Sequence, residues 1–163
     1  MMNHLENPSA DQNTAACACF DMLRLKNQLC FPLYACSREI VKKYKPFLDE
    51  LDLTYTQYIT MMVMWERKQL SVKELGECLF LDSGTLTPLL KKLEQKGWVT
   101  RRRARKDERV LIVTLTQQGE ELQEKAKTVP ERMSKCVNRL TTEEADTLYR
   151  LLYKLLGCDC PLS

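Results

Sequence analysis

The feature that most constrains the fold is a change of hydrophobic period directly after Gly97. Before it, the sequence predicts two short helices, one opened by a capping box at Ser71 and one capped by Asp82 or Ser83. After it, apolar residues alternate as in two strands that flank a charged hairpin loop. The strands are expected over residues 98–101 and 110–115. Two short helices followed by such a hairpin predict a winged helix-turn-helix.

Longer helices are predicted on both sides of this motif. Apolar residues recur at three- to four-residue steps over residues 22–52, where Pro32 must mark the helix start or a kink. Thr54 with Gln57 forms a capping box for the next helix, and Thr116 can cap a polar helix that runs to about Asn138. That helix is expected to bend or break near Pro130, and Thr141 with Glu144 supplies another capping box before a leucine-rich helix.

The predicted fold class is therefore mainly α with a small β-hairpin wing, flanked by N- and C-terminal dimerisation helices. These helices are too long to bury their apolar stripes within one small domain, which predicts packing against a second copy. The expected organisation is a disordered tail at 1–21 and a single domain at 22–163, with the winged motif at about 54–115 and dimerisation helices at about 22–52 and 116–157.

Composition excludes several classes of protein. The chain of 163 residues has one histidine, His4, in a polar stretch, so catalysis by a histidine triad is close to excluded. Its apolar runs are far shorter than the roughly 20 residues that span a bilayer, and no signal peptide is evident. A cytoplasmic protein without a membrane partner is expected, in which the eight cysteines are thiols, metal ligands or redox sensors rather than a disulfide framework.

Positive charge is concentrated in the hairpin loop. Residues 101–109 read RRRARKDER and carry a net charge of +4, whereas the entire chain carries +3. A charged hairpin alone could be a solvated turn. Next to a helix that presents serine, threonine and lysine side chains, it predicts phosphate contacts around a helix in the DNA major groove.

At this point the sequence resembles the MarR family of regulators. The run LSVKELGECLFLDSGTLTPLLKKLEQKGWVTRRRARKDERVLIVTLTQQG is similar to its winged helix-turn-helix, with the family's Asp-x-Arg matched at residues 107–109. The upstream run LKNQLCFPLYACSREIVKKYKPFLDELDLTYTQY resembles the branch that senses organic hydroperoxides. The resemblance implies a homodimeric transcriptional repressor that binds double-stranded DNA. It would leave its two-fold symmetric operator when a cysteine is oxidised by an organic hydroperoxide.

The resemblance also assigns DNA-binding residues. Asp107 is expected to bind a wing arginine, because a carboxylate is repelled by phosphate, and Arg109 is the better DNA contact. On the recognition helix the assigned residues are Ser83, Thr85, Thr87, Pro88 and Lys91, and on the wing they are Asp107 and Arg109. The basic run adds Arg101, Arg103, Arg105 and Lys106 as expected DNA contacts.

The sensor implied by the resemblance is Cys30. Its place near a helix start is chemically suitable, because the helix dipole stabilises the thiolate that attacks a hydroperoxide. The family places three tyrosines around this sulfur across the dimer interface, here Tyr34, Tyr44 and Tyr55. Cys136 corresponds loosely to the resolving cysteine of two-cysteine members. Cys36 is a weaker candidate, and a small thiol is a further one.

Other functions stay open at the level of sequence. The same repressor could respond to a small phenolic ligand, or to a metal held by the Cys-x-Cys pairs, although no metal or cofactor is part of the leading prediction. A thiol peroxidase that turns over at Cys30 is less favoured, because no catalytic partner is evident, and no catalytic residue is assigned. The pairs are Cys17 with Cys19 and Cys158 with Cys160.

Overall fold

The computed structural model describes residues 21–105 and 107–158. A short 3-10 turn at Leu25–Asn27 precedes the regular elements. In chain order these are α1 (Cys30–Asp49), α2 (Tyr55–Arg67), β1 (Gln69–Ser71), α3 (Val72–Leu79), α4 (Ser83–Gln95), β2 (Val99–Arg103), β3 (Leu111–Leu115), α5 (Gln117–Ala126), α6 (Thr128–Val137) and α7 (Thr142–Leu156). The predicted fold class is confirmed.

The chain divides into two compact units inside α1, after Lys42. Helix α1 is shorter than the predicted span of 22–52, because the chain before Cys30 forms the 3-10 turn. Pro32 lies in the first turn of α1, where a missing backbone N–H costs no intrahelical bond. Pro46, near the other end of α1, was not singled out from the sequence; it has no N–H to donate to the carbonyl of Lys42. The predicted tail at 1–21 lies, apart from its last residue, outside the described residues.

Side-chain caps fix most helix starts where the sequence predicts them. Thr54 accepts a hydrogen bond from the backbone N–H of Gln57, whose side chain accepts one from the N–H of Thr54. Ser71 with Glu74 and Thr141 with Glu144 form the same reciprocal pair. Asp82 and Thr116 cap α4 and α5 through one side-chain acceptor each. Such caps satisfy N–H groups that a helix leaves unpaired, so they fix its first residue.

The wing belongs to a three-stranded antiparallel sheet with strand order β1-β3-β2. Strands β2 and β3 form the predicted hairpin, with Arg101 opposite Val113. The edge strand β1 was not predicted from the sequence. It pairs with the other side of β3, with Leu70 opposite Val113. The wing is thereby joined to the segment between α2 and α3.

A hydrophobic core lies beneath the helix-turn-helix. Its buried members come from the end of α1, from α2 to α6 and from the strands, and include Leu48, Met61, Met64, Leu75, Leu90, Leu93, Val99, Val113 and Val129. Trp65 donates its indole N–H to the buried carbonyl of Gly119 at 2.7 Å, which joins α2 to α5. A Cβ atom at Gly119 would lie 2.2 Å from the carbonyl oxygen of Trp98, so this close approach requires glycine.

The helical region after the wing is broken where the sequence predicts an interruption. Helix α5 ends at Ala126 and α6 begins at Thr128, with Pro130 in its first turn. Helix α7 then carries an exposed stripe formed by Leu148, Leu151 and Leu155. Across the described part of the chain, none of the helices combines the length and the apolar character that a membrane crossing needs.

Candidate DNA-binding face and thiol site

Helix α4 has one buried apolar face and one exposed polar face. Leu86, Leu90 and Leu93 hold the first against the core. The Asp82 carboxylate accepts hydrogen bonds from the hydroxyl of Thr85 at 2.8 Å and from its backbone N–H at 2.9 Å. These bonds lower the pKa of Asp82, so the cap stays ionised. Exposed on α4 are the residues that the resemblance assigns to DNA: Ser83, Thr85, Thr87, Pro88 and Lys91.

The wing tip is organised by Asp107. Its Oδ1 accepts hydrogen bonds from the backbone N–H of Arg109 at 3.0 Å and from the Nε of the same residue at 3.2 Å. Asp107 is thus the partner of a wing arginine, as expected. The side chain of Arg109 is nevertheless 92% exposed, so its remaining N–H groups face solvent. Arg103 donates to the carbonyl of Glu108 across the hairpin, Arg105 is exposed, and Lys106 lies outside the described residues.

Arg101 differs from the other wing arginines. Its Nε and one terminal nitrogen donate to Oε2 of Glu94 at 3.0 and 2.6 Å, and its backbone N–H donates to Oε1 at 3.0 Å. The guanidinium therefore faces the last turn of α4, not the wing tip. The hydrogen bonds from Arg101 lower the pKa of Glu94, so its carboxylate is ionised at neutral pH. Arg101 was predicted among the DNA contacts, and Glu94 was not singled out from the sequence.

The same turn of α4 is also joined to the segment that follows α1. Lys96 pairs with the Asp52 carboxylate at 2.6 Å and lies 4.9 Å from the ring centroid of Trp98. The helix then ends in a Schellman motif, in which Gly97 and Trp98 donate their N–H groups to the carbonyls of Glu94 and Leu93. Gly97 has a φ of 77°, which confirms its predicted place at the helix end. Nothing in the local sequence pairs Lys96 with Asp52, so this contact was also missed.

Cys30 is the first residue of α1, and its side chain is exposed. Tyr34 follows one turn later and is also exposed, with its hydroxyl accepting a hydrogen bond from Arg38 at 2.9 Å. Cys36 is exposed as well. At 100° per residue it projects in a different direction from Cys30, as the sequence predicts. The first turn of α1 thus offers an accessible thiol, next to Phe31, which donates its N–H to the carbonyl of Gln28, and Pro32, which has no N–H.

The other two predicted sensor tyrosines lie together. The rings of Tyr44 and Tyr55 have centroids 5.0 Å apart, and Tyr58 extends the cluster from Tyr44 at 6.0 Å. Burial raises the pKa of each of these phenols, with a further contribution from the neighbouring tyrosines at Tyr44 and Tyr58. The phenols are therefore neutral and able to donate a hydrogen bond at physiological pH. Tyr58 was not singled out from the sequence.

Cys136 is exposed in the last turn of α6. Its backbone carbonyl accepts a hydrogen bond from Lys43 Nζ at 2.8 Å. One turn earlier, Arg132 donates to both carboxylate oxygens of Glu50 at 2.8 Å and lies 4.1 Å from the ring centroid of Phe47. The end of α1 and helix α6 are joined by these contacts, which no sequence motif indicated.

The Cys-x-Cys pairs fall mostly outside the described residues, which include Cys158 but not Cys17, Cys19 or Cys160. Cys158 is exposed. Within residues 21–105 and 107–158, no group of three or more potential ligands could hold a metal ion.

Comparison with known proteins gives this geometry its context. The family described as transcriptional regulator SarA/Rot matches residues 42–126. The organic hydroperoxide resistance transcriptional regulator of Bacillus subtilis is 48% identical over 137 residues, which cover 84% of this chain and 92% of that protein. A cysteine-to-serine mutant of MarR from Escherichia coli, solved with operator DNA, has a TM-score of 0.71 at 27% identity, covering 78% of this chain and 93% of that one. The chain belongs to the MarR family.

Two further MarR-family relatives come from staphylococci. SarZ of Staphylococcus aureus, an HTH-type transcriptional regulator, is 58% identical over 95 residues, which are 58% of this chain and 64% of SarZ. AbfR of Staphylococcus epidermidis, solved in an overoxidized form bound to DNA, is 39% identical with a TM-score of 0.69, covering 84% of this chain and 96% of that one. As a MarR-family member this chain is a transcriptional regulator, not an enzyme.

Proposed function

We propose that this chain is a cytoplasmic, homodimeric repressor that binds double-stranded DNA and releases it when Cys30 is oxidised by an organic hydroperoxide. The observation that carries the DNA-binding part is the wing tip, where Asp107 holds the backbone of an almost fully exposed Arg109. Beside it, the capped helix α4 presents a polar face. Such a face suits the major groove, while the wing arginine suits phosphate or the minor groove.

A second copy is part of the proposal. The stripe of Leu148, Leu151 and Leu155 on α7 is exposed, and so are Leu29 and Phe31 at the start of α1. Apolar patches of this kind are covered by another chain in dimeric proteins. We assign dimerisation to helical segments within 22–52 and 116–157 and DNA binding to about 54–115. Two recognition helices related by a two-fold axis read half-sites about 34 Å apart, which requires a two-fold symmetric operator.

The proposed sensing step is a two-electron oxidation of sulfur. The Cys30 thiolate attacks one oxygen of the hydroperoxide, so an S–O bond forms while the O–O bond breaks. The leaving alkoxide takes a proton and departs as the alcohol, and Cys30 becomes a sulfenic acid. A second thiol then displaces water to form a disulfide, which a reducing thiol reverses. Exposure of Cys30 on the first turn of α1 supports this role, since the attacking thiolate must be accessible.

Tyr34, Tyr44 and Tyr55 are proposed to set the surroundings of the oxidised sulfur in the dimer. The neutral phenols of Tyr44 and Tyr55 support this, because each can donate a hydrogen bond to sulfur.

Cys136 is the proposed resolving thiol. Its exposure on α6 supports reaction with a partner subunit, and a dimer-sized band on a non-reducing gel that disappears in Cys136→Ser is the expected result.

Fluorescence anisotropy on the DNA upstream of its own gene tests the function. The reduced protein is expected to bind, to lose at least about tenfold in affinity after cumene hydroperoxide, and to regain it with dithiothreitol. Cys30→Ser should bind and ignore the oxidant. Cys36→Ser, which removes an equally exposed thiol six residues away, is the matched control and should respond like the wild type. Release of DNA from oxidised Cys30→Ser would contradict the sensor assignment.

A cavity next to the recognition helix supports a second candidate effector, a small phenolic ligand. A cleft of about 720 Å³ lies between α3, the turn before α4 and the wing next to its tip, with Val72, Phe80, Leu86 and Val110 among its lining residues. Its size and apolar walls suit a small phenolic molecule. If DNA release required such a ligand and not the oxidant, the proposed effector would be wrong, but the proposed DNA-binding repressor would still be correct.

A further inference from the structure

The junction between the recognition helix and the wing contains the most enclosed arginine of the basic hairpin. The Arg101 side chain is 16% exposed and that of Glu94 is 36% exposed, whereas the Arg109 side chain is 92% exposed. Six residues separate these partners in sequence, and between them the chain ends α4 in the Schellman motif and enters β2. The pair therefore spans the corner at which the direction of the wing is set.

Three hydrogen bonds hold this corner. Two come from the guanidinium and one from the backbone N–H of Arg101, and all three are accepted by the Glu94 carboxylate. A planar guanidinium that is engaged on two nitrogens fixes the orientation of its partner as well as the distance. The backbone bond adds a constraint on strand β2 itself, beyond that on the side chain. This arrangement restrains the angle between α4 and the hairpin.

We propose that Arg101 is a positioning residue for DNA binding: with Glu94 it holds the wing at a fixed angle to the recognition helix and does not contact phosphate. This inference rests on the proposed DNA-binding function and deepens it. A phosphate contact by Arg101 would break its bonds to Glu94 and leave a carboxylate close to the polyanionic backbone, which is unfavourable. Arg109 has no such conflict, because most of its donors face solvent.

The salt dependence of binding separates the two roles. Each phosphate contact contributes about 0.9 to the slope of log K against log salt, and a positioning residue contributes nothing. We expect Arg101→Ala to weaken binding by roughly three- to tenfold with an unchanged slope. Arg109→Ala is the comparison from the same hairpin, and its slope should fall in magnitude by about one.

Glu94→Ala gives the sharpest contrast, because the two roles of Arg101 predict opposite changes in DNA affinity. If the pair positions the wing, Glu94→Ala weakens binding to the same extent as Arg101→Ala, and the double variant is no weaker than either single one. If Arg101 contacts phosphate, removal of the competing carboxylate frees the guanidinium and strengthens binding. Arg101→Lys keeps the charge but not the two-nitrogen geometry, so it should fail to restore binding.

The measurement uses the full-length reduced chain and the DNA upstream of its gene, with thermal unfolding of each variant alongside to confirm that it is folded. Equal losses in Arg101→Ala and Glu94→Ala at constant slope would support the inference. A lower slope in Arg101→Ala, stronger binding by Glu94→Ala, or restoration by Arg101→Lys would each overturn it while leaving the proposed function intact. A wild-type chain that binds no DNA would overturn both.

Discussion

The winged helix-turn-helix and the first turns of α1 differ in how their apolar side chains are covered. In the former, residues such as Leu90, Val99 and Val113 are buried within one chain. In the latter, Phe31 and Tyr34 are exposed, beside an exposed thiol. The winged region therefore supplies its own core, whereas the segment that carries Cys30 presents apolar surface for a partner to cover.

This difference suits the two proposed tasks. A DNA-reading surface needs a fixed shape, and buried leucines, two-nitrogen ion pairs and helix caps provide one. A thiol sensor instead needs access to its oxidant and a contact that oxidation can disturb. Placing the thiol at a surface covered by a second copy would couple oxidation to the arrangement of the two recognition helices.

The largest expected effect tests the internal core with two adjacent methionines of α2. Met61 is 0% exposed and Met62 is 46% exposed. Met61→Ala should lower the free energy of unfolding by about 2–5 kcal/mol, because it removes packed side-chain volume and leaves a cavity. Met62→Ala, the matched control, should change it by less than about 0.5 kcal/mol. Urea unfolding checks both, and equal losses would mean that the winged region is not held by this core.

The next effect concerns the surface that a single chain leaves uncovered. Leu151→Glu places a carboxylate in the exposed stripe of α7 and should weaken self-association by about 30-fold or more, since a buried unpaired charge is costly. Arg150→Glu adds the same group to the preceding residue of α7, which is exposed about 100° around the helix from Leu151, and should leave the dimer intact. Sedimentation equilibrium measures both variants. A dimer that tolerates Leu151→Glu would place the interface elsewhere.

A smaller loss is expected at the bond between α2 and α5. Trp65→Phe keeps an aromatic ring in the core but leaves the buried carbonyl of Gly119 without the indole N–H. The free energy of unfolding should fall by about 0.5–1.5 kcal/mol, which is the usual net contribution of one hydrogen bond, because the carbonyl keeps its intrahelical partner within α5. Trp98→Phe is the control, since Trp98 is only partly buried, and thermal unfolding compares the two. Equal stability of Trp65→Phe and the wild type would show that another donor replaces the indole.

Local signals carried most of what the sequence could predict about the fold. The caps at Thr54, Ser71 and Thr141 depend on residues three positions apart, so the spacing alone identifies them. The hairpin follows from an alternation that is also local. Strand β1 was missed because it spans three residues and exists only through its pairing with β3, more than 40 residues further along the chain.

The candidate site divides in the same way. Asp107 and Arg109 are two residues apart, and their pairing was predicted. The pairs Lys96 with Asp52 and Arg132 with Glu50 join residues 44 and 82 positions apart, which no motif indicates. Glu94 was missed for a different reason: a charged residue near a helix end is ordinarily solvated, and only the turn at Gly97 brings it to Arg101. In the proposed dimer the surroundings of Cys30 depend on a second chain, so its three expected tyrosine neighbours came from the family resemblance and not from a local sequence pattern.

The smallest expected effect is a pH dependence at the base of the wing. Hydrogen bonds from Arg101 lower the pKa of Glu94 in the folded state below its ordinary value of 4.5. The unfolded chain then binds more protons in acid, so the stabilisation by Glu94 is fully present above about pH 5 and is lost as the pH falls through the folded-state pKa. Wild type and Glu94→Gln should therefore differ in unfolding free energy near neutral pH and converge in acid.

The control is Glu131. Its pKa is lowered by Lys135, in an ion pair in which both side chains are 71% exposed. Glu131→Gln should show a smaller difference that salt removes, because exposed pairs are screened. Equal behaviour of the two glutamates in urea titrations from pH 7 to about pH 3 would mean that the corner at Arg101 is no more rigid than an ordinary surface pair.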